Sequence, residues 1–276
     1  MITPAPQNHS HIIEKGVLKN ASEIIYHTGL LKNEVVELSI ADVMQNGSIV
    51  STIPPLSDPY PRGYVREPVI LSDMARKLID EHIKFLQDSG LSIFFKSPLF
   101  PFATKNKRYD ESELWSHLSS YCIYVRYERH RESGIHSFCW ELSKNKVAKQ
   151  QIIDAAHQFS RYSNIERTAK LVDEGISRDP KIYENVYRSC HGAAGKIIGF
   201  HEMFPNKVDG YLSEFQRNYD LLLDRDKNTM LNKINKGLGK TNKKLVRHGR
   251  SLIIEEISEI KIDLKMIKRK KRRKFN

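Results

Sequence analysis

The chain has 276 residues, 39% of them apolar, enough to bury the core of one large domain or two small ones. No run of about 18 apolar residues occurs, which argues against a membrane-spanning helix, and the polar segment Met1–Lys15 has no signal-peptide pattern. Cys122, Cys139 and Cys190 are odd in number and lack CxxC spacing, so neither a disulfide framework nor a structural zinc site is expected; the usage fits a reducing cytoplasm.

The net charge of +12 is uneven. Residues 226–276 hold 17 Lys/Arg against 5 Asp/Glu, whereas residues 1–225 hold 28 of each. A neutral body with a basic tail points to a polyanionic partner, above all nucleic acid.

In chain order, Ile12, Ile13, Val17, Leu18, Ala21, Ile24 and Ile25 recur at helical spacing. Gly29 breaks that helix, and Val35, Leu38 and Val43 open a second apolar face ending at the turn signal Asn46-Gly47. Ser48–Ile53 and Tyr64–Leu71 read as strands on either side of a proline-rich loop. Ser72 caps a helix to about Gln87, with Met74, Leu78, Ile79, Ile83 and Leu86 on its apolar face and Gly90 as its stop. Asp110 caps a helix through about Arg126, bearing Leu114, Trp115, Leu118, Tyr121 and Cys122. Further helices are expected over about Lys181–Ser189, Ala193–Met203 and Asp209–Leu223, where Tyr183 and Tyr187 pack. A basic connector then contains Gly237 and Gly239. Ile253, Ile257, Ile260, Leu264 and Ile267 follow at 4-3-4-3 spacing, a short seam for docking or self-association. Gly192–Lys196 lacks the first glycine and the hydroxyl residue of a phosphate loop, and His191 and His201 have no partners at metal spacing.

The stretch Thr28–Leu38 resembles the first active-site box of the tyrosine recombinase (phage integrase) family, a Thr-Gly-Leu-Arg corner before a helix with a glutamate and two apolar positions. Thr28, Gly29, Leu30, Glu34, Val35 and Leu38 match, and the family's first catalytic arginine falls on Leu31. Pro98-Leu99-Phe100-Pro101 resembles the family's Pro-Leu-Phe-Pro loop. His136–Cys139 stands where the family has His-x-x-Arg. Ser163-Asn164-Ile165 with Thr168 matches the third box, which puts the catalytic His/Trp position on Tyr162. The nucleophilic tyrosine falls on Leu171, and the hairpin lysine falls on or near Arg62, which keeps the charge but is a poor proton donor.

The resemblance covers about 160 residues. It implies a mainly α fold with a small antiparallel sheet over residues 1–175; outside it, the residues themselves read as a helical extension over 176–225 and a basic connector, amphipathic helix and polybasic tail over 226–276. Phosphoryl transfer in that family needs two cationic clamps and a nucleophile. Of its family positions, Leu31, Cys139 and Leu171 supply none of these, and His136 does not act alone. The expectation is a non-catalytic, cytoplasmic protein, nucleoid-associated if its source is prokaryotic, without metal or cofactor. It would bind double-stranded DNA through Arg62, Lys105, Lys107, Arg108, Lys243, Lys244, Arg247, Lys268, Arg269, Lys270, Lys271, Arg272, Arg273 and Lys274, alone or with a partner recombinase. An active recombinase in another register, and a protein-interaction module using residues 251–267, are the alternatives.

Overall fold

The structure, a computed structural model, describes residues 6–45, 47–55, 62–91, 93–102, 107–122, 124, 126–200 and 208–245. The chain divides into two compact units, Met1–Glu184 and Asn185–Asn276. It is mostly helical with small antiparallel sheets.

In the first unit, α1 (Pro6–Thr28) buries Ile13, Val17, Leu18, Ala21, Ile24 and Ile25 along one face, as the spacing predicts. Ile12, counted on that face in sequence, points outward. The helix ends at Gly29, whose φ of 63° is left-handed and whose N–H closes on the Ile25 carbonyl at 2.9 Å. A Cβ at Gly29 would come within 2.9 Å of the Phe159 ring and carbonyl, so conformation and space both require glycine. Helix α2 (Lys32–Glu37) begins three residues later; Glu34 accepts from the Leu31 N–H at 2.6 Å, capping an end that no hydroxyl side chain caps.

After α3 (Ile40–Val43), a hairpin pairs β1 (Met44–Gln45) with β2 (Ser48–Ile49) around Gly47. The single strand expected over Ser48–Ile53 is therefore two, because β3 (Thr52–Ile53) turns to pair with β4 (Val69–Ile70) instead. The longer strand expected over Tyr64–Leu71 shrinks to β4. Pro68 cannot donate to a ladder, and the backbone at Tyr64 is engaged with Tyr162.

Helix α4 (Asp73–Asp88) starts at Ser72, whose Oγ accepts from the Ala75 N–H at 3.2 Å, and stops at left-handed Gly90. Its Ala75, Ile79, Ile83 and Leu86 pack toward α1, while Met74 is exposed, against its assignment to the apolar face. A third ribbon pairs β5 (Pro101–Phe102) with β6 (Lys107–Arg108). Asp110 caps α5 as expected, but α5 (Glu111–Leu118) ends eight residues early: Ser119 and Ser120 interrupt it, and a separate helix begins at Tyr127.

That helix, α6 (Tyr127–Lys144), is the centre of the unit. With α7 (Lys149–Ser160) and α8 (Ile165–Ile176) it encloses a second apolar cluster of Ile135, Cys139, Ile152, Ala156, Tyr162, Leu171 and Val172. Gly134 lies so close to the Tyr26 carbonyl of α1 that a Cβ would sit 1.9 Å from its oxygen. Gly175 of α8 makes a similar close approach to His136.

Helix α9 (Pro180–Phe200) is continuous where two helices were expected. Within the presumed gap of residues 190–192, Cys190 is fully buried, and the buried Ala193 and Ala194 that follow it are good helix formers, so packing carries the helix through Gly192. The second unit continues with α10 (Val208–Tyr219) and α11 (Asp224–Leu245). The glycine-bearing connector is part of α11, a correction with a packing reason. Gly237 lies against Ile198, where a Cβ would approach to 2.7 Å, so the glycine admits close helix contact rather than breaking the helix. No helix among the described residues is long and apolar enough to cross a membrane.

Candidate functional site

The corner at Gly29 is closed by two arginines that the sequence reading did not single out. Arg131 enters from α6; its Nε donates to the Gly29 carbonyl at 2.6 Å, and its two terminal nitrogens donate to Glu128 at 3.0 Å and to the Ser160 carbonyl. Arg161 is the residue that ends α7. It takes the left-handed conformation at φ 53°, unusual for a side-chain-bearing residue, and is fully buried. Its guanidinium donates to both oxygens of Glu34, at 2.7 Å to one of them, and to the Gly29 carbonyl at 3.1 Å. Glu34 thereby joins the α2 cap to the α7–α8 turn.

A ring of phenols and carboxylates surrounds Arg131. Tyr64 and Tyr162 both donate to Glu128, Tyr64 at 2.7 Å. Both rings lie 5.1 Å from the Arg131 guanidinium. Arg167, at the start of α8, stacks 3.7 Å from the Tyr162 ring, donates to its hydroxyl at 3.0 Å and lies 3.5 Å from Glu128 and Glu132. Tyr127 donates to the Leu30 carbonyl at 2.8 Å. The loop bearing Tyr64 is fastened here by backbone bonds, Val65 N–H to Arg161 at 2.8 Å and Ser163 N–H to Gly63 at 3.0 Å.

The electrostatics follow from burial. Desolvation acts to raise the Glu128 carboxyl, but Arg131, the two phenolic donors and Arg167 outweigh it, and Glu128 sits below its ordinary value. Burial would lower Arg131, yet Glu128 and the neighbouring phenols hold it firmly charged. Tyr162 is raised far out of the physiological range, chiefly by burial, and Tyr64 is pushed up to about 12 for the same reason. The network is an internal brace. The Arg131 and Arg161 guanidiniums are taken up by carboxylates and backbone carbonyls, Arg167 stays partly exposed, and the phenols act as neutral donors.

The positions singled out by the resemblance lie partly in the brace, partly in the cluster behind it and partly outside both. Leu31 is 3% exposed at the start of α2. Tyr162 belongs to both brace and cluster. Cys139 and Leu171 lie in the cluster, with the Cys139 thiol pushed up to about 12 by burial. His136 lies in α6, its Nε2 3.5 Å from Glu174. Arg62 is exposed in the turn before Tyr64 and is not part of the brace.

The expected DNA-binding cations are described only in part. Lys107 pairs with Glu113 at 3.0 Å. Arg108 caps the end of α2, donating to the carbonyls of Val36 at 3.2 Å, Glu37, and Leu38 at 3.4 Å. Lys243 and Lys244 fall in α11. Lys105, Arg247 and the run Lys268–Lys274 lie outside the described residues, as do Ile253, Ile257, Ile260, Leu264 and Ile267.

Among the described residues no group of three or more His, Cys, Asp or Glu side chains is placed to hold a metal ion. The residues missed in sequence, Glu128, Arg131, Glu132, Arg161 and Arg167, had one signal. Tyr127–Gly134 is almost wholly polar, and a polar stretch that must lie in a helix beside an apolar cluster needs internal partners. No family model, curated protein or solved structure matches the chain.

Proposed function

We propose that the chain is a non-catalytic, DNA-binding relative of the tyrosine recombinases, acting as an accessory subunit of a recombination complex or as a DNA-binding regulator of a mobile element. The observation that carries this reading is the meeting of distant positions. Leu31 and Tyr162 are linked through Glu34 and Arg161, and Tyr162 shares one cluster with Cys139 and Leu171. That shared neighbourhood of buried packing residues supports the resemblance, with Arg62 lying outside it.

The charge distribution supplies the DNA-binding half. The excess of 12 positive charges resides in residues 226–276, which include seven consecutive Lys/Arg residues, Lys268–Lys274. The active-recombinase alternative is disfavoured by Arg131 and Arg161: both are fully buried and tied to internal acceptors, so neither is open to a phosphate.

The test is covalent trapping on a nicked suicide duplex. No denaturant-resistant protein–DNA adduct is expected under conditions where the duplex is bound. A tyrosyl–DNA adduct would overturn the non-catalytic reading, and absence of duplex binding would overturn the DNA-binding one.

A further inference from the structure

A cavity of about 300 Å³ opens in the first unit between the end of α1, the β4–α4 junction, α6 and α7. That volume is at the low end for small-molecule sites. Its walls are largely apolar, with Phe138 and Phe159 stacked at 5.3 Å between ring centroids. Its charge is unlike that of the chain as a whole. In a protein of net charge +12, no lysine or arginine lines it, and Glu141 is its one carboxylate among the described residues. His27 contributes a neutral imidazole at pH 7, because burial lowers its pKa and Glu23 only partly restores it. Gln158 and Ser137 add neutral hydrogen-bonding groups.

These features select a ligand class. An aromatic ring matches the phenylalanine walls. An anion would meet Glu141 with no cation to compensate, whereas a basic nitrogen at the mouth would meet it favourably. We infer that this cavity binds a small aromatic molecule carrying a protonated amine. The site is separate from the brace but touches it: Phe159 lies against Gly29 and precedes Ser160, whose carbonyl holds Arg131. A ligand against Phe159 would therefore pack behind the corner at Gly29.

The test uses phenethylamine, with 2-phenylethanol and phenylacetate as its neutral and anionic counterparts, titrated calorimetrically into the full chain. The amine is expected to bind most tightly and the acid least. Glu141→Gln, at an exposed position, is expected to bring the amine down to the alcohol's affinity, a loss of about threefold or more. Ala155→Phe fills the cavity and is expected to abolish binding of both, with circular dichroism and thermal midpoint confirming that each variant is folded. Three results would overturn the inference: no binding of the amine at millimolar concentration, equal binding of amine and acid, or binding that survives Ala155→Phe in a folded protein.

Discussion

Arg161 donates to Glu34 at 2.7 Å across 127 residues of sequence, and both side chains are buried. The pair ties the first corner of the chain to the turn between α7 and α8. Removing one member leaves the other charge buried without its main partner, which typically costs about 3–5 kcal/mol. Arg161→Met is therefore expected to lower unfolding stability by about that amount, and Glu34→Leu by a comparable one. The double variant is expected to lose less than the sum, because it leaves no buried charge. Urea unfolding of the three variants gives the coupling; strict additivity would mean that the pair does not join the two turns.

The close crossing of α1 and α6 predicts a contrast between two glycines. Gly134→Ala places a methyl 1.9 Å from the Tyr26 carbonyl oxygen, so the helices must separate at a cost of about 1–3 kcal/mol or more. Gly192 lies inside α9 with nothing within 4 Å of its would-be Cβ. There alanine is expected to stabilise by about 0.5–1 kcal/mol through helix propensity. Thermal midpoints moving in opposite directions would bear this out, and equal shifts would contradict it.

His82 makes the fold pH-sensitive. Its Nε2 donates to the Leu99 carbonyl at 2.8 Å and its Nδ1 accepts from Asn20 at 3.2 Å, a tautomer fixed by those partners. Burial pushes its pKa down from 6.5 to about 4, with the bond to Leu99 opposing. Between those values the unfolded chain takes up a proton that the folded chain refuses, so stability falls as pH drops from 6.5 toward 4. His82→Gln is expected to be less stable at pH 7 but to show a shallower decline over that window. A slope identical to that of the unaltered chain would remove His82 from the account.

Much of the fold was legible because local chemistry was strong. Ser72, Asp110 and Gly90 cap or stop their helices as their residue types dictate, and the apolar face of α1 holds from Ile13 to Ile25. Errors arose where tertiary packing overrode local signals. Gly237 reads as a break but admits a neighbouring helix, and the run from Tyr64 reads as a strand but is bound to Tyr162 through its own turn. The brace was illegible because Arg131 and Arg161 look like surface charges in sequence. Only the fold brings Glu34 and Glu128 to them. Leu31, Cys139 and Leu171 carry no charged side chain in sequence, but their burial is a property of the packed helices.

In the proposed function, the chain binds duplex DNA by charge concentrated in its C-terminal tail, without cutting it. The most direct measurement is the equilibrium affinity of the full chain for duplex DNA as a function of salt, compared with a chain lacking residues 268–276. If all seven basic residues of the run meet phosphates, the logarithm of the affinity falls with that of the salt concentration at a slope of about −6. The truncated chain is expected to bind far more weakly and with a much shallower slope. Affinity and slope unchanged by the truncation, or no binding by the full chain at low salt, would contradict the claim.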